Sequence, residues 1–332
     1  MPQRPPCERA RLLFIRCGGL AAAGLWLISA AGCAAAFKPE PIQFTTADWT
    51  YHGVKGSELT SKHYVIYTTC KRKPFVQALP GFMETCYDAY ARLLPADTLT
   101  TARLPTYLFQ RRRQWEQFTR EFSPARVDTY MRIRRGGFTE RGVTVSHYST
   151  QRSSLSILAH EGLHQFLGAT GRDRIPAWIN EGLACYYESF DLVNGRPAFD
   201  PRNNTLRAPT LRKALAEDSL IPLRQILATN AGLAVHQKSQ HVYSYYAQEW
   251  SLILFLLDSP MNNPYYAGFR RLLDELGTES MKRKTNAYLA TDTDGTLSRG
   301  EAVFQAYITD DPATFESDYR KFLHKLLNLK TF

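Results

Sequence analysis

The chain has 332 residues, 44% of them hydrophobic and 22% charged, with six cysteines and a formal net charge of +10. That length suffices for a two-lobed domain with a substantial core, and the basic balance points to anionic envelope surfaces, acidic substrates or diffuse solubilising charge. The arginine runs (Arg111 to Arg113; Arg132, Arg134, Arg135) match no nucleic-acid motif with interleaved aromatics, so nucleic acid is set aside as a partner.

Residues 1–32 read as a targeting segment. Arg4, Arg9, Arg11 and Arg16 form a basic start, residues 20–28 an apolar core, and Ser29-Ala30-Ala31-Gly32-Cys33 a lipobox. This resembles a bacterial lipoprotein signal in which Cys33 becomes the lipidated first residue. The resemblance implies export to the periplasmic face of the envelope and a membrane anchor, and Ala34 suits the outer membrane. An uncleaved anchor over residues 18–37 is the alternative. Without residues 1–32 the net charge is about +7, since four Arg and one Glu leave. Cys7 and Cys17 leave too. Of the remaining cysteines, Cys70 and Cys86 flank a strand-to-helix connection and are candidates for pairing, while Cys185 reads as a small buried hydrophobe.

Residues 33–62 show little periodicity and read as a tether. Residues 63–69 (HYVIYTT) alternate and are β-branched, hence a strand. A helix is expected over 75–94 despite Pro80, a second strand over 104–109, an amphipathic helix over 112–122, and a third strand over 142–148.

The stretch 155–188 then carries HEGLH (residues 160–164) and WINEG (178–182). His160 and His164, four apart on a helix, lie on one face about 6 Å apart along the axis and reach one ion. Glu161 is turned from ligation but is placed to take a proton from an activated water. Gly168, Gly171 and Pro176 break this helix and start another, which brings Glu181 back beside the histidines. The expected set is His160, His164 and Glu181 around one Zn2+ with an open fourth position, as in a catalytic rather than a structural site. The metzincin pattern is excluded, because Leu167 and Thr170 occupy its Gly and third His positions.

Residues 194–204 form a Gly/Pro/Asn-rich loop. Helical pieces follow at 210–217 and 223–227, then a long helix over 240–257 and another over 265–276. Residues 291–301 (TDTDGTLSRGE) match part of a calcium loop, but Ala290 holds the first ligand position, so a polar turn is expected. Helices over 301–307 and 312–327 close the chain. The domain is set at 63–277, with 278–332 as a helical extension packed on it.

HEGLH followed by PAWINEGLA, and YAQEWSLILFL at 246–256, resemble the gluzincin clan of zinc peptidases, closest to secreted, uncharacterised gluzincin-like domains. The resemblance implies an α+β fold of thermolysin/aminopeptidase-like zincin type, a small sheet lobe plus a helical lobe. It implies Tyr246 as the stabiliser of the oxyanion, with His236 and His241 as alternatives, and an edge strand near residues 137–145 along the cleft. No GAMEN-like stretch is present, so aminopeptidase specificity does not follow. The expected function is zinc-dependent hydrolysis of a peptide or peptide-like amide by a monomer, with Glu161 and Tyr246 catalytic. A non-catalytic zinc-containing envelope protein that binds a partner is the alternative.

Overall fold

A six-stranded mixed sheet and the helices around it make an α+β structure. The computed structural model describes residues 42–94, 102–134, 136–229 and 239–328. Residues 1–41, with the expected signal and Cys33, lie outside them, as do Arg135 and His236. No helix among the described residues is long and apolar enough to cross a membrane.

The chain begins with a hairpin, β1 (Thr45–Tyr51) and β2 (Val54–Thr60), where a tether was expected. His52 and Gly53 both have positive φ, +45° and +75°, as a two-residue hairpin turn with the twist of its strands requires. Most β1 side chains are exposed, so the usual alternation is missing. Only Trp49 and Tyr51 reach the aromatic cluster beneath.

From β3 (Tyr64–Thr68) the long helix α1 (Lys73–Leu93) crosses to β4 (Leu104–Phe109), which is parallel to β3. The helix runs through Pro80, which is buried within it. Helices α2 (Arg112–Phe122) and α3 (Val127–Met131) lead to β5 (Gly137–Glu140) and β6 (Val143–His147). The sheet order is β1-β2-β3-β4-β6-β5, so β5 is an edge, antiparallel to β6. One sheet face buries Tyr64, Ile66, Leu104 and Leu108 in the main core; the other buries Phe109 and Val145 against Trp115, Tyr130 and Phe138. Burying each such large apolar side chain contributes about 1.5–3 kcal/mol relative to exposure.

The next helix, α4 (Gln151–Ala169), lies against α1, β5 and β6. Thr150 caps its start by accepting from Ser153 N at 3.2 Å. Gln165, fully buried, fixes its register by donating to Pro105 O at 2.7 Å and Gly142 O at 2.8 Å. The Tyr90 hydroxyl donates to Ala159 O at 2.5 Å and ties α1 to the same helix.

A turn then leads to α5 (Ala177–Tyr186), and the segment read as a loop forms a second hairpin, β7 (Phe190–Val193) and β8 (Arg196–Phe199). Its turn is Asn194-Gly195, both residues at positive φ, the strongest short hairpin signal in the chain. Then come α6 (Ala208–Ala216), α7 (Leu223–Ala228), α8 (Ser239–Leu256) and α9 (Tyr266–Asp274). The chain closes with α10 (Glu279–Thr291), α11 (Arg299–Tyr307) and α12 (Pro312–Leu326). These last helices share the main core: Trp178 of α5 packs on Phe304, and its indole donates to Gly300 O at 3.3 Å. The 292–298 segment is a polar turn in which Asp292 accepts from Leu297 N at 2.6 Å, followed by a Ser298–Glu301 capping box.

Helices α5 and α8 approach closely at Gly182. A Cβ there would stand 2.5 Å from Ile253 Cγ1 and 2.8 Å from Glu249 O, so only glycine fits beside Glu181. Cys70, Cys86 and Cys185 are buried free thiols, so the pairing of Cys70 with Cys86 is not made. Both sit within the core instead.

Candidate metal centre

His160 and His164 lie on adjacent turns of α4, with ring centroids 4.9 Å apart. Glu181 comes from the second turn of α5. Its Oε2 stands 3.3 Å from His160 Nε2 and 3.5 Å from His164 Nε2. Three ligands about 2.1 Å from a tetrahedral ion lie about 3.4 Å from one another. The two separations to Glu181 fit that edge length.

The other ring nitrogens are held from outside. His160 Nδ1 donates to Glu188 Oε1 at 2.9 Å, and His164 Nδ1 donates to Asn180 Oδ1 at 2.8 Å. A carboxylate or amide oxygen only accepts, so each ring carries a hydrogen on Nδ1, and on loss of its second proton each would turn an Nε2 lone pair inward. The donor set therefore suits a divalent cation that prefers imidazole and carboxylate ligands. Burial opposes charge on His160, yet hydrogen bonding to Cys185, Glu181 and Glu188 holds its pKa well above the ordinary imidazole value. Burial likewise raises the Glu181 carboxyl, but the two histidines outweigh it and hold it well below the usual range. His160, His164 and Glu181 together form a grouping that could hold a metal ion.

Glu188 is the residue that sequence reasoning missed. It follows α5 directly, is buried, and receives two hydrogen bonds from Arg207, Nε to Oε2 at 2.8 Å and Nη2 to Oε1 at 2.6 Å. Asn204 adds a third at 3.2 Å. Cys185 Sγ falls in a second possible grouping with His160 and Glu188. Burial pushes that thiol up to about 11, and Glu188 is already engaged by Arg207 and Asn204.

Glu161 points the other way on α4. Its Oε2 accepts from Thr139 Oγ1 of the edge strand β5 at 2.9 Å, and Thr144 stands 2.9 Å from Thr139. Burial raises the Glu161 carboxyl; the neighbouring histidine charges and Thr139 only partly offset this, so it sits above its ordinary value. That is the direction a general base at neutral pH needs. β5 presses directly on this side chain: a Cβ on Gly137 would lie 2.8 Å from Val145 O and 3.2 Å from Glu161 Cγ.

His160, Glu161, Glu188, Arg207 and Tyr246 line one open cleft of about 250 Å³, with Tyr243 beside them. Of the three tyrosines at the start of α8, Tyr245 is buried and donates to Thr229 O at 3.3 Å, and Tyr243 is 52% exposed. Tyr246 lies between these extremes. Its ring is 6.3 Å from that of His160 and is stacked under the Arg207 guanidinium at 5.0 Å. Burial, then the Glu181 charge, keep its phenol protonated and so able to donate. His241 is not among the residues lining this cleft. His147, on β6, is a buried neighbour of Trp115 rather than part of the site.

Below the tyrosines lies Glu249, fully buried, with no hydrogen-bond partner for either oxygen among the described residues. Burial, then the Glu181 charge, push its pKa well above the carboxylate range, so it is neutral.

A family model described as "Protein of unknown function (DUF1570)" matches residues 154–266. The match covers both histidines, Glu161, Glu181, Glu188, Arg207 and Tyr246. No curated protein and no solved structure matches the chain.

Proposed function

We propose that this chain is a zinc-dependent hydrolase of peptide or peptide-like amide bonds. One observation carries the reading: Glu181 stands at tetrahedral ligand spacing from both His160 and His164, and the Glu161 carboxylate, which is not one of the three, lines an open cleft with His160. A structural zinc would have no use for the free carboxylate or the opening. The edge strand β5 over the α4 helix, followed by Glu181 on α5, also supports a gluzincin-like arrangement.

When bound, zinc would supply Lewis acidity at the scissile carbonyl and a lowered pKa for the attacking water. His160, His164 and Glu181 would hold it, with Glu188 and Asn180 fixing the two rings. Glu161 accepts the proton of the attacking water and returns it to the leaving amine. Its burial keeps the carboxyl basic enough for both transfers. Tyr246 donates its phenolic hydrogen to the developing oxyanion. Thr139 keeps Glu161 in one rotamer, which shortens the search for the reactive geometry.

A mixed peptide library tests this. Cleavage by the purified chain that stops with a chelator and returns with added zinc supports the reading. A zinc-loaded chain that leaves every peptide intact would overturn it.

A further inference from the structure

Two arginines in this cleft have no part in the chemistry above. Arg132 and Arg134 line it beside His160, Glu161 and Tyr246, and both are exposed. Among the described residues neither has a carboxylate at ion-pair distance. The other arginine of the cleft, Arg207, is already neutralised by Glu188. One side of the opening is therefore cationic, with no carboxylate partner for these two arginines among the described residues.

The segment that carries them is held in place. The Arg112 guanidinium donates to three of its carbonyls: Ile133 O at 2.8 Å, Arg134 O at 2.9 Å and Met131 O at 3.3 Å. Arg112 is itself braced by Glu116 at 2.8 Å and lies over the Trp115 ring. The backbone then passes through Gly136 into Gly137, the first residue of β5, against Glu161. Three hydrogen bonds spent on an exposed turn fix the start of the two arginine side chains relative to the reactive carboxylate.

We propose that Arg132 and Arg134 bind a carboxylate of the substrate, making the preferred substrate an acidic peptide. The inference rests on the hydrolase reading for its substrate class. Guanidinium groups suit a planar carboxylate because they donate two parallel hydrogen bonds to it. The carboxylate has two possible sources, an acidic side chain near the scissile bond or a free chain terminus. Neutral peptides of the same length lose this contact and keep the rest of the cleft.

The test uses the full chain carrying Glu161→Gln, which binds without turnover, and four labelled peptides of otherwise identical sequence. They carry Glu or Gln at one position and a free or amidated C-terminus. The Glu peptide or the free-terminus peptide should bind about tenfold more tightly than the neutral one at low salt, a difference of one ion-paired contact or two. The arm that gains identifies the source. The preference should shrink as ionic strength rises. It should vanish with added R132Q/R134Q, and R132E/R134E should favour a Lys peptide instead. Equal affinity for all four peptides, or a preference that survives R132Q/R134Q, would overturn the proposal. Hydrolysis by the wild-type chain is scored separately. Cleavage without acidic preference sinks this inference and leaves the hydrolase, whereas acidic binding with no cleavage of any peptide sinks the hydrolase and leaves the arginine site.

Discussion

Glu188 stands behind His160: its Oε1 accepts from His160 Nδ1 at 2.9 Å while both of its oxygens are gripped by Arg207. One buried carboxylate thus fixes a hydrogen on the Nδ1 of a proposed ligand and neutralises a buried guanidinium. Burial alone would raise it, but Arg207 and His160 hold its pKa well below the ordinary range, so it stays ionised.

Glu188→Gln should weaken zinc binding about 10–100-fold, the usual effect of losing a carboxylate behind a metal-bound imidazole. It should also cost stability, on the order of 3 kcal/mol, because Arg207 is left buried without its partner. Adding Arg207→Met should restore the stability and leave the affinity low. Chelator competition and urea unfolding separate the two effects. A single variant with unchanged affinity would remove Glu188 from the site.

Glu161→Gln should keep its zinc and lose turnover by about 10²–10⁴-fold, the range assigned to a positioned general base. Tyr246→Phe should lower kcat by about 10²-fold with KM little changed, as for a donor that acts on the oxyanion alone. A rise in KM with normal kcat would make Tyr246 a packing residue under Arg207.

Gly137→Ala tests the closeness of the edge strand to the base. The added methyl meets Val145 O at 2.8 Å, Ser146 Cβ at 3.1 Å and Glu161 Cγ at 3.2 Å, so β5 or Glu161 must move. Turnover should fall about tenfold or more, since misplacing a reacting group by even 1 Å is costly. Overpacking should cost about 1–3 kcal/mol of stability, and zinc content should stay normal. Full activity would mean that β5 does not position Glu161.

Glu249 gives a pH signature. Its folded-state pKa is raised above the unfolded value, so the folded chain holds a proton that the unfolded chain releases. The proton linkage favours folding least above the ordinary carboxylate range, and stability falls as pH rises through that range toward the folded pKa. Glu249→Gln removes the dependence. Urea unfolding at pH 5 and pH 8 should show the variant gaining on the wild type at the higher pH; a constant difference would mean that Glu249 is ionised.

The convergence of the three proposed ligands was legible because their order is local: His160 and His164 share a helix face, and a Gly/Pro break returns Glu181 to them within one helix pair. The strand at 104–109 and the helix at 112–122 were legible from alternation and amphipathicity, and match β4 and α2. What escaped lacked local pattern. Glu188 sits past a helix end, and its partner Arg207 lies 19 residues on in a segment with no period. Arg112 acts through carbonyls, which no side-chain pattern records. The first hairpin reads as a tether in the sequence because most of β1 is exposed and its turn is His-Gly, a weaker signal than the Asn-Gly of the second. In that second hairpin the turn was legible, and the short strands around it were outweighed by loop-like composition.

Zinc content of the purified full chain, wild type beside His160→Ala, bears most directly on the account. The wild type should hold about one zinc per chain and the variant none, because the site has three protein ligands and loses one. A wild-type chain that takes up no zinc after reconstitution, or a variant that holds as much as the wild type, would contradict it.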